Sequence, residues 1–196
     1  YDEQHRARMD TLQGTADFYS KNLRDIGHEA LDIIPNIMPM QMAWAREHHL
    51  SLKAKWNLRL LRGLVPWISR DQRSSLFAVM EAQIRHYRPD VLYSMAVELV
   101  GGDFLKKVRP YYRLAIAQHA APHPQHDIGE YDLLLSSLPN YVDYFRQKGM
   151  KSEVLGLGFE PSILDRIISR EKRYDVVFIG GLGGHHTEST SLLETL

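Results

Sequence analysis

Apolar residues recur along this chain in two rhythms that alternate: helical spacing of about 3.6 residues, and short continuous runs. The stretch DQRSSLFAVMEAQIRHYRPD (71–90) carries the clearest helical rhythm. Leu76, Val79, Met80, Ile84 and Tyr87 fall on one face. Pro89 ends it, because proline disfavours the helical region for the residue before it. Residues 2–27 are expected to be mostly helical, with Phe18, Leu23 and Ile26 near helical spacing and Gly27 as a stop. A helix over 40–50 would bury Met42 and Trp44, and one over 51–64 would align Leu52, Trp56, Leu60 and Leu64. A short, glycine-broken helix is expected over 97–110. Another is expected over 139–149, with Pro139 in its first turn and Gly149 at its end.

Between these lie the continuous runs: HEALDIIPN (28–36), DVLYSM (90–95), YRLAIAQH (112–119), YDLLLSS (131–137), SEVLGLG (152–158) and YDVVFIG (174–180). Runs of this kind between helices predict strands of a parallel sheet covered on both faces. The fold class is therefore α/β, a doubly wound, Rossmann-like parallel sheet, with 28–158 as its bulk. Three parts are expected. Residues 1–160 form the first domain. Residues 161–173 form a charged short helix or linker. Residues 174–196 open a second α/β domain that breaks off. The last helix has a possible capping box, Ser191 with Glu194, and no stop signal before Leu196.

Composition narrows the classes. A length of 196 residues allows one domain and part of another. Lys plus Arg and Asp plus Glu number 24 each, which argues against a nucleic-acid binder working through a basic face. There is no cysteine, so disulfides and thiolate zinc sites are excluded and a cytoplasmic setting is expected. No apolar run approaches the roughly 18–20 residues that span a bilayer. The N-terminal YDEQHR lacks the features of a signal peptide.

Several stretches could carry chemistry. In IGGLGGHH (179–186), Gly180, Gly181, Gly183 and Gly184 lie between an apolar run and a helix start. There backbone amides can approach a phosphate, and His185 and His186 can donate to it. The spacing is neither a clean G-x-G-x-x-G nor a P-loop, and a ligand-free βα turn is the plain alternative. The loop QHAAPHPQHD (118–127) holds His119, His123, His126 and Asp127, residue types used by metal sites. Pro122 and Pro124 preclude a regular helix there, so no metal is assigned. A substrate or catalytic role for one histidine stands against a structural loop. Ser136, Ser137 and Asn140 could bind a hydroxylated ligand or cap a helix. Gly156 and Gly158 could let two domains close, or could simply bend the chain. Trp44, Trp56 and Trp67 with the Met-rich 36–42 read as packing. No G-x-S-x-G elbow and no H-E-x-x-H occurs.

The order YDLLLSS, PNYVDYFRQKG, SEVLGLGFEPSIL, a charged linker and YDVVFIGGLGGHH resembles the junction between the two domains of GT-B glycosyltransferases. There LGLGFEP stands at the end of the first domain and VFIGGLGGHH at the start of the second. GTADFYSKNLRDIGHEALDIIPN (14–36) with QMAWAREHHL (41–50) looks like the CgeB-like, spore-maturation type of glycosyltransferase. The resemblance implies transfer of a sugar from a nucleotide-sugar donor, as co-substrate, to an unknown acceptor. It implies no cofactor, metal or nucleic acid. It places the donor phosphate at Gly180, Gly181, Gly183 and His186. The acceptor goes to Gln118, Ser136, Asn140 and Gly158, with His119 as base, since imidazole titrates near neutrality. It also implies an opening strand ahead of Tyr1 and a complete donor domain after Leu196, so that this portion alone is expected to be inactive. The alternative reading is a non-catalytic α/β ligand-binding or regulatory module, with a nucleotide-sugar epimerase third.

Overall fold

The computed structural model of the chain describes residues 1–12, 14, 16–51, 70–121, 127–167, 172–177 and 191. The chain divides into two compact units, Tyr1–Gly158 and Phe159–Leu196.

The first unit opens with α1 (Asp2–Asp10), whose Asp2 and Glu3 at the start and Arg8 at the end complement the helix dipole. The mostly helical stretch expected over 2–27 consists of two helices. Leu12, Gly14 and Ala16 all have positive φ (52°, 66° and 41°), which ends α1 and delays α2 to Phe18–Asp25. Glycine takes that conformation without cost, but Leu12 and Ala16 carry a Cβ penalty there. Gly27, at φ 93°, then turns the chain out of α2.

Helix α3 (Met38–Glu47) has Pro39 in its first turn and buries Met40, Ala43 and Trp44. Met42, expected inside, is only half-buried, because the buried stripe runs through 40, 43 and 44. Trp44 stacks on His48 at 4.0 Å between ring centroids and donates its Nε1 hydrogen to Tyr87 Oη at 3.1 Å, fastening α3 to α4 (Arg70–Tyr87). The helix expected over 51–64, with Trp56 and Trp67, lies outside the described residues.

Four strands follow: β1 (Val91–Ser94), β2 (Leu114–Gln118), β3 (Leu133–Ser136) and β4 (Ser152–Val154). All pairs are parallel and the order is β1-β2-β3-β4. Helix α5 (Gly102–Val108) crosses from β1 to β2 and α6 (Pro139–Gln147) from β3 to β4. Right-handed crossovers that step in one direction place both helices on one face. The register puts Ser94, Ala117, Leu134 and Ser152 side by side, with Ala115 and Ser136 on the same face, and all six are buried. Small side chains there let the helices come close. Ala115, Ala117 and Leu134 form one core with Leu76, Met80 and Ile84 of α4, Leu105 and Val108 of α5, and Phe145 of α6.

The other face carries Val91, Tyr93, Leu114, Ile116, Leu133 and Leu135, none of which is fully buried. The α/β class with a parallel sheet flanked by helices is thus present. The reversal that makes a sheet doubly wound is not found among the described strands. Two expected strands also differ. Residues 28–34 join no ladder, although Ile33 packs on the core. In the second unit, Tyr174, Val176 and Val177 are exposed and unpaired in any described sheet, and 178–180 lie outside the described residues. An apolar run becomes a strand only where a neighbouring strand accepts its backbone groups. The stretch expected as a short helix or linker over 161–172 begins as a 3-10 turn, Pro161–Arg166, started by the Glu160 side chain, which accepts from Ser162 N at 3.2 Å.

Candidate functional site

Open parallel sheets collect ligands at the carboxyl ends of their strands, and Gln118 and His119 stand at such an end. Strand β2 ends at Gln118, whose Oε1 accepts the Tyr93 hydroxyl at 2.5 Å and the Tyr19 hydroxyl at 2.9 Å. The two rings lie 5.3 Å apart. A carboxamide whose oxygen takes two hydroxyls turns its NH2 group, with two donors, the other way. Burial, with the Tyr19 hydroxyl beside it, holds the Tyr93 phenol well above its ordinary pKa, so it stays protonated and donating at neutral pH.

His119 is the next residue. Its backbone N–H donates to Leu135 O at 2.9 Å, which continues the β2–β3 ladder by one rung. Its ring is only 5% exposed and lies edge-on to Tyr141, 6.2 Å between centroids, with Phe145 at 6.4 Å. Nδ1 lies 3.6 Å from Glu98 Oε1. That is longer than a hydrogen bond, but it is close enough for attraction once the imidazole carries a proton. Glu98 comes from the turn after β1.

No protein-family model, curated protein or solved structure matches this chain.

The other candidate residues have mixed placements. Ser136 is fully buried, and its Oγ accepts the Leu138 N–H at 3.2 Å, turning the chain from β3 into α6. Ser94 does the same for Ala96 at the end of β1. Both serines therefore serve their strand ends, and Ser136 has little hydroxyl to offer a ligand. Asn140 is exposed in the first turn of α6. Gly158 is exposed at the end of the first unit, and neither there nor at Gly156 would a Cβ meet any atom within 4 Å. Gly180, Gly181, Gly183 and His186 lie outside the described residues, as do His123 and His126.

Asp127 is described and has a structural task. Its Oδ1 accepts from Gly129 N at 2.9 Å, and its backbone oxygen accepts from Gly102 N at 2.8 Å. Among the described residues, no three His, Asp or Glu side chains sit together at metal-ligating spacing. No helix among them is long and apolar enough to cross a membrane.

The structure therefore brings Gln118 together with Tyr19 and Tyr93 on one face of the sheet, and His119 together with Glu98 on the other; the sequence reading missed Tyr19, Tyr93 and Glu98. A usable signal existed for two of them, since Tyr93 and Glu98 bracket the end of a recognisable strand. Tyr19, distant in sequence, gave none. A second feature was also missed. A cavity of about 230 Å³ lies between α1, α2 and residues 31–32, lined by His5, Arg6, Asp17, Arg24 and Asp32 among others. Burial raises the Asp32 carboxyl, while the Ser20 hydroxyl donates to it.

Proposed function

We propose that this chain is the N-terminal portion of a GT-B glycosyltransferase of the CgeB-like kind, which moves a sugar from a nucleotide-sugar donor to an acceptor hydroxyl. The observation that carries the reading is His119. It is an imidazole at the end of a central strand, with a carboxylate on its Nδ1 side. In this reading His119 Nε2 takes the proton of the acceptor hydroxyl as its oxygen forms the bond to the anomeric carbon. The bond from that carbon to the diphosphate breaks, and the nucleoside diphosphate leaves with the electron pair. Glu98 opposes the positive charge that develops on the imidazole. The amide donors of Gln118 hold acceptor oxygens. Gly180, Gly181, Gly183 and His186 are assigned to the leaving diphosphate.

The test uses the complete gene product. Calorimetry with UDP, GDP and dTDP is expected to show saturable binding of one of them. His119→Ala is expected to lower turnover about 10²-fold or more with nucleotide affinity kept. Absence of nucleotide binding, or unchanged turnover in the variant, would overturn the reading.

The near-complete burial of the His119 ring favours a second reading, a non-catalytic ligand-binding module in which the ring packs against α6. Under it His119→Ala lowers the unfolding midpoint, and the complete protein transfers no sugar.

A further inference from the structure

The cavity between α1, α2 and residues 31–32 has walls that are tied to one another. His5 of α1 donates its Nε2 hydrogen to Asp32 O at 3.0 Å, and Arg24 of α2 donates through Nη1 to Ala30 O at 2.9 Å. Ser20 of α2 donates its hydroxyl hydrogen to Asp32 Oδ2. Three segments of the chain thus frame one hollow of about 230 Å³. Sites for drug-sized ligands run to roughly 300–1,000 Å³, so this one suits a smaller molecule. The link between the two helices that wall it carries Leu12 and Ala16 at φ 52° and 41°, a conformation that strains any residue with a Cβ.

The lining is charged, and its charges are unequally answered. Asp17 faces Arg24 Nη2 at 3.7 Å, and Asp10 is also engaged. Asp32 and Arg6 differ. Asp32 Oδ1 has no hydrogen-bond or ion-pair partner among the described residues, and neither has the exposed Arg6 guanidinium. Burial raises the Asp32 carboxyl by more than the Ser20 hydroxyl and the charges of His5 and Arg24 lower it. A half-buried carboxylate without a close cation and a guanidinium without an anion therefore line the same hollow. Met9, which is buried, and Leu31 add apolar wall.

We propose that this cavity binds a small free α-amino acid, with its ammonium on Asp32, its carboxylate on Arg6 and its side chain against Met9 and Leu31. Charge separates the ligand classes. A neutral molecule leaves the Asp32 carboxylate desolvated and unpaired. A simple anion meets the carboxylates of Asp32 and Asp17. A simple amine leaves Arg6 unanswered. A zwitterion answers both charges with one molecule. The inference does not rest on sugar transfer, because the cavity shares no lining residue with the positions around Gln118 and His119. The two regions meet in α2, where Tyr19, bonded to Gln118, precedes Ser20, bonded to Asp32.

The test uses the complete protein and valine, titrated by ligand-observed NMR, with valinamide and N-acetylvaline beside it. Valinamide lacks the carboxylate and N-acetylvaline lacks the ammonium. Valine is expected to bind saturably, and each derivative at least about tenfold more weakly, since each loses one charge-assisted pair. Asp32→Asn and Arg6→Gln are each expected to weaken valine binding at least about tenfold. Both should keep the unfolding midpoint of the unliganded protein. Asn can still accept the Ser20 hydrogen and removes a desolvated charge, and the Arg6 side chain has no partner to lose. The losses should also be matched to the ligand: Asp32→Asn leaves the affinity for N-acetylvaline unchanged, and Arg6→Gln leaves that for valinamide unchanged. Arg6→Gln, at an exposed helix position, keeps the test decisive if Asp32→Asn does not fold. No saturable valine binding up to about 10 mM, equal affinity for the two derivatives and valine, or unchanged valine affinity in folded Arg6→Gln protein would each overturn the proposal.

Discussion

Tyr131 shows how one buried hydroxyl couples this fold to pH. It is 6% exposed, and its Oη donates to Val100 O at 2.7 Å, tying the end of the β2–β3 loop to the turn before α5. Burial pushes the phenol up to about 12, against about 10 in an unfolded chain. Between those values the folded state holds a proton that the unfolded state has lost. Stability therefore falls as pH rises through that window. The contribution is complete below about pH 10 and gone above about 12. Tyr131→Phe should cost about 1 kcal/mol at neutral pH through the lost hydrogen bond. It should also make the decline of unfolding free energy between pH 10 and 12 shallower by about one proton's worth. Urea titrations at several pH values would read this, and an unchanged slope would remove the assignment. The same scale explains what could be read of the site. His119 stood out in a histidine-rich loop after an apolar run, and Gln118 entered only through the family resemblance. The Tyr19–Gln118 bond joins residues 99 apart, and no local pattern announces such a pair.

Elements were legible where a run or stripe is long and its punctuation unambiguous. Helix α4 keeps its apolar spacing and stops before Pro89, and β1, β2 and β3 fall within their apolar runs. The break between α1 and α2 was not legible, because only Gly14 advertises a positive φ while Leu12 and Ala16 adopt it too. Strand β4 stops at Val154, short of the expected 158, since β3, its partner, ends at Ser136. The seating of α5 depends on a close approach of the returning loop. A Cβ on Gly102 would lie 2.6 Å from Asp127 Oδ2 and 3.3 Å from its backbone oxygen. The carboxylate is held by Gly129 N, so it yields only by giving up that bond. Gly102→Ala is therefore expected to destabilise the protein by about 1–2 kcal/mol through overpacking. The cycle with Asp127→Ala checks the cause. If the clash is with Asp127, adding Gly102→Ala to Asp127→Ala should cost clearly less than it costs alone. Strict additivity would place the strain elsewhere.

At the scale of the whole molecule, burial is unevenly shared. Every buried apolar side chain among the described residues lies between Met9 and Phe145. In the second unit, Phe159, Leu164, Ile167, Tyr174, Val176 and Val177 are each more than half exposed. The α/β class was legible at this scale because continuous apolar runs between helical stripes have few other uses. The sheet's missing reversal was not, because it depends on which strands accept each other's edges rather than on any one run. The first unit has its own core, four paired strands and the helices that cover one face of them, so it meets the physical requirements of an independent folding unit. Residues 1–158 produced alone are expected to unfold in one cooperative transition. Their urea midpoint should lie within about 0.5 kcal/mol, in free-energy terms, of that of the 196-residue chain, with a similar dependence on denaturant, because m follows the surface exposed on unfolding. Tryptophan fluorescence is a suitable probe, since Trp44 is buried between α3 and α4. A loss of several kcal/mol, or a transition that is no longer cooperative, would mean that residues beyond 158 complete the first unit's core, and the two-unit division would then describe the trace of the chain and not its stability.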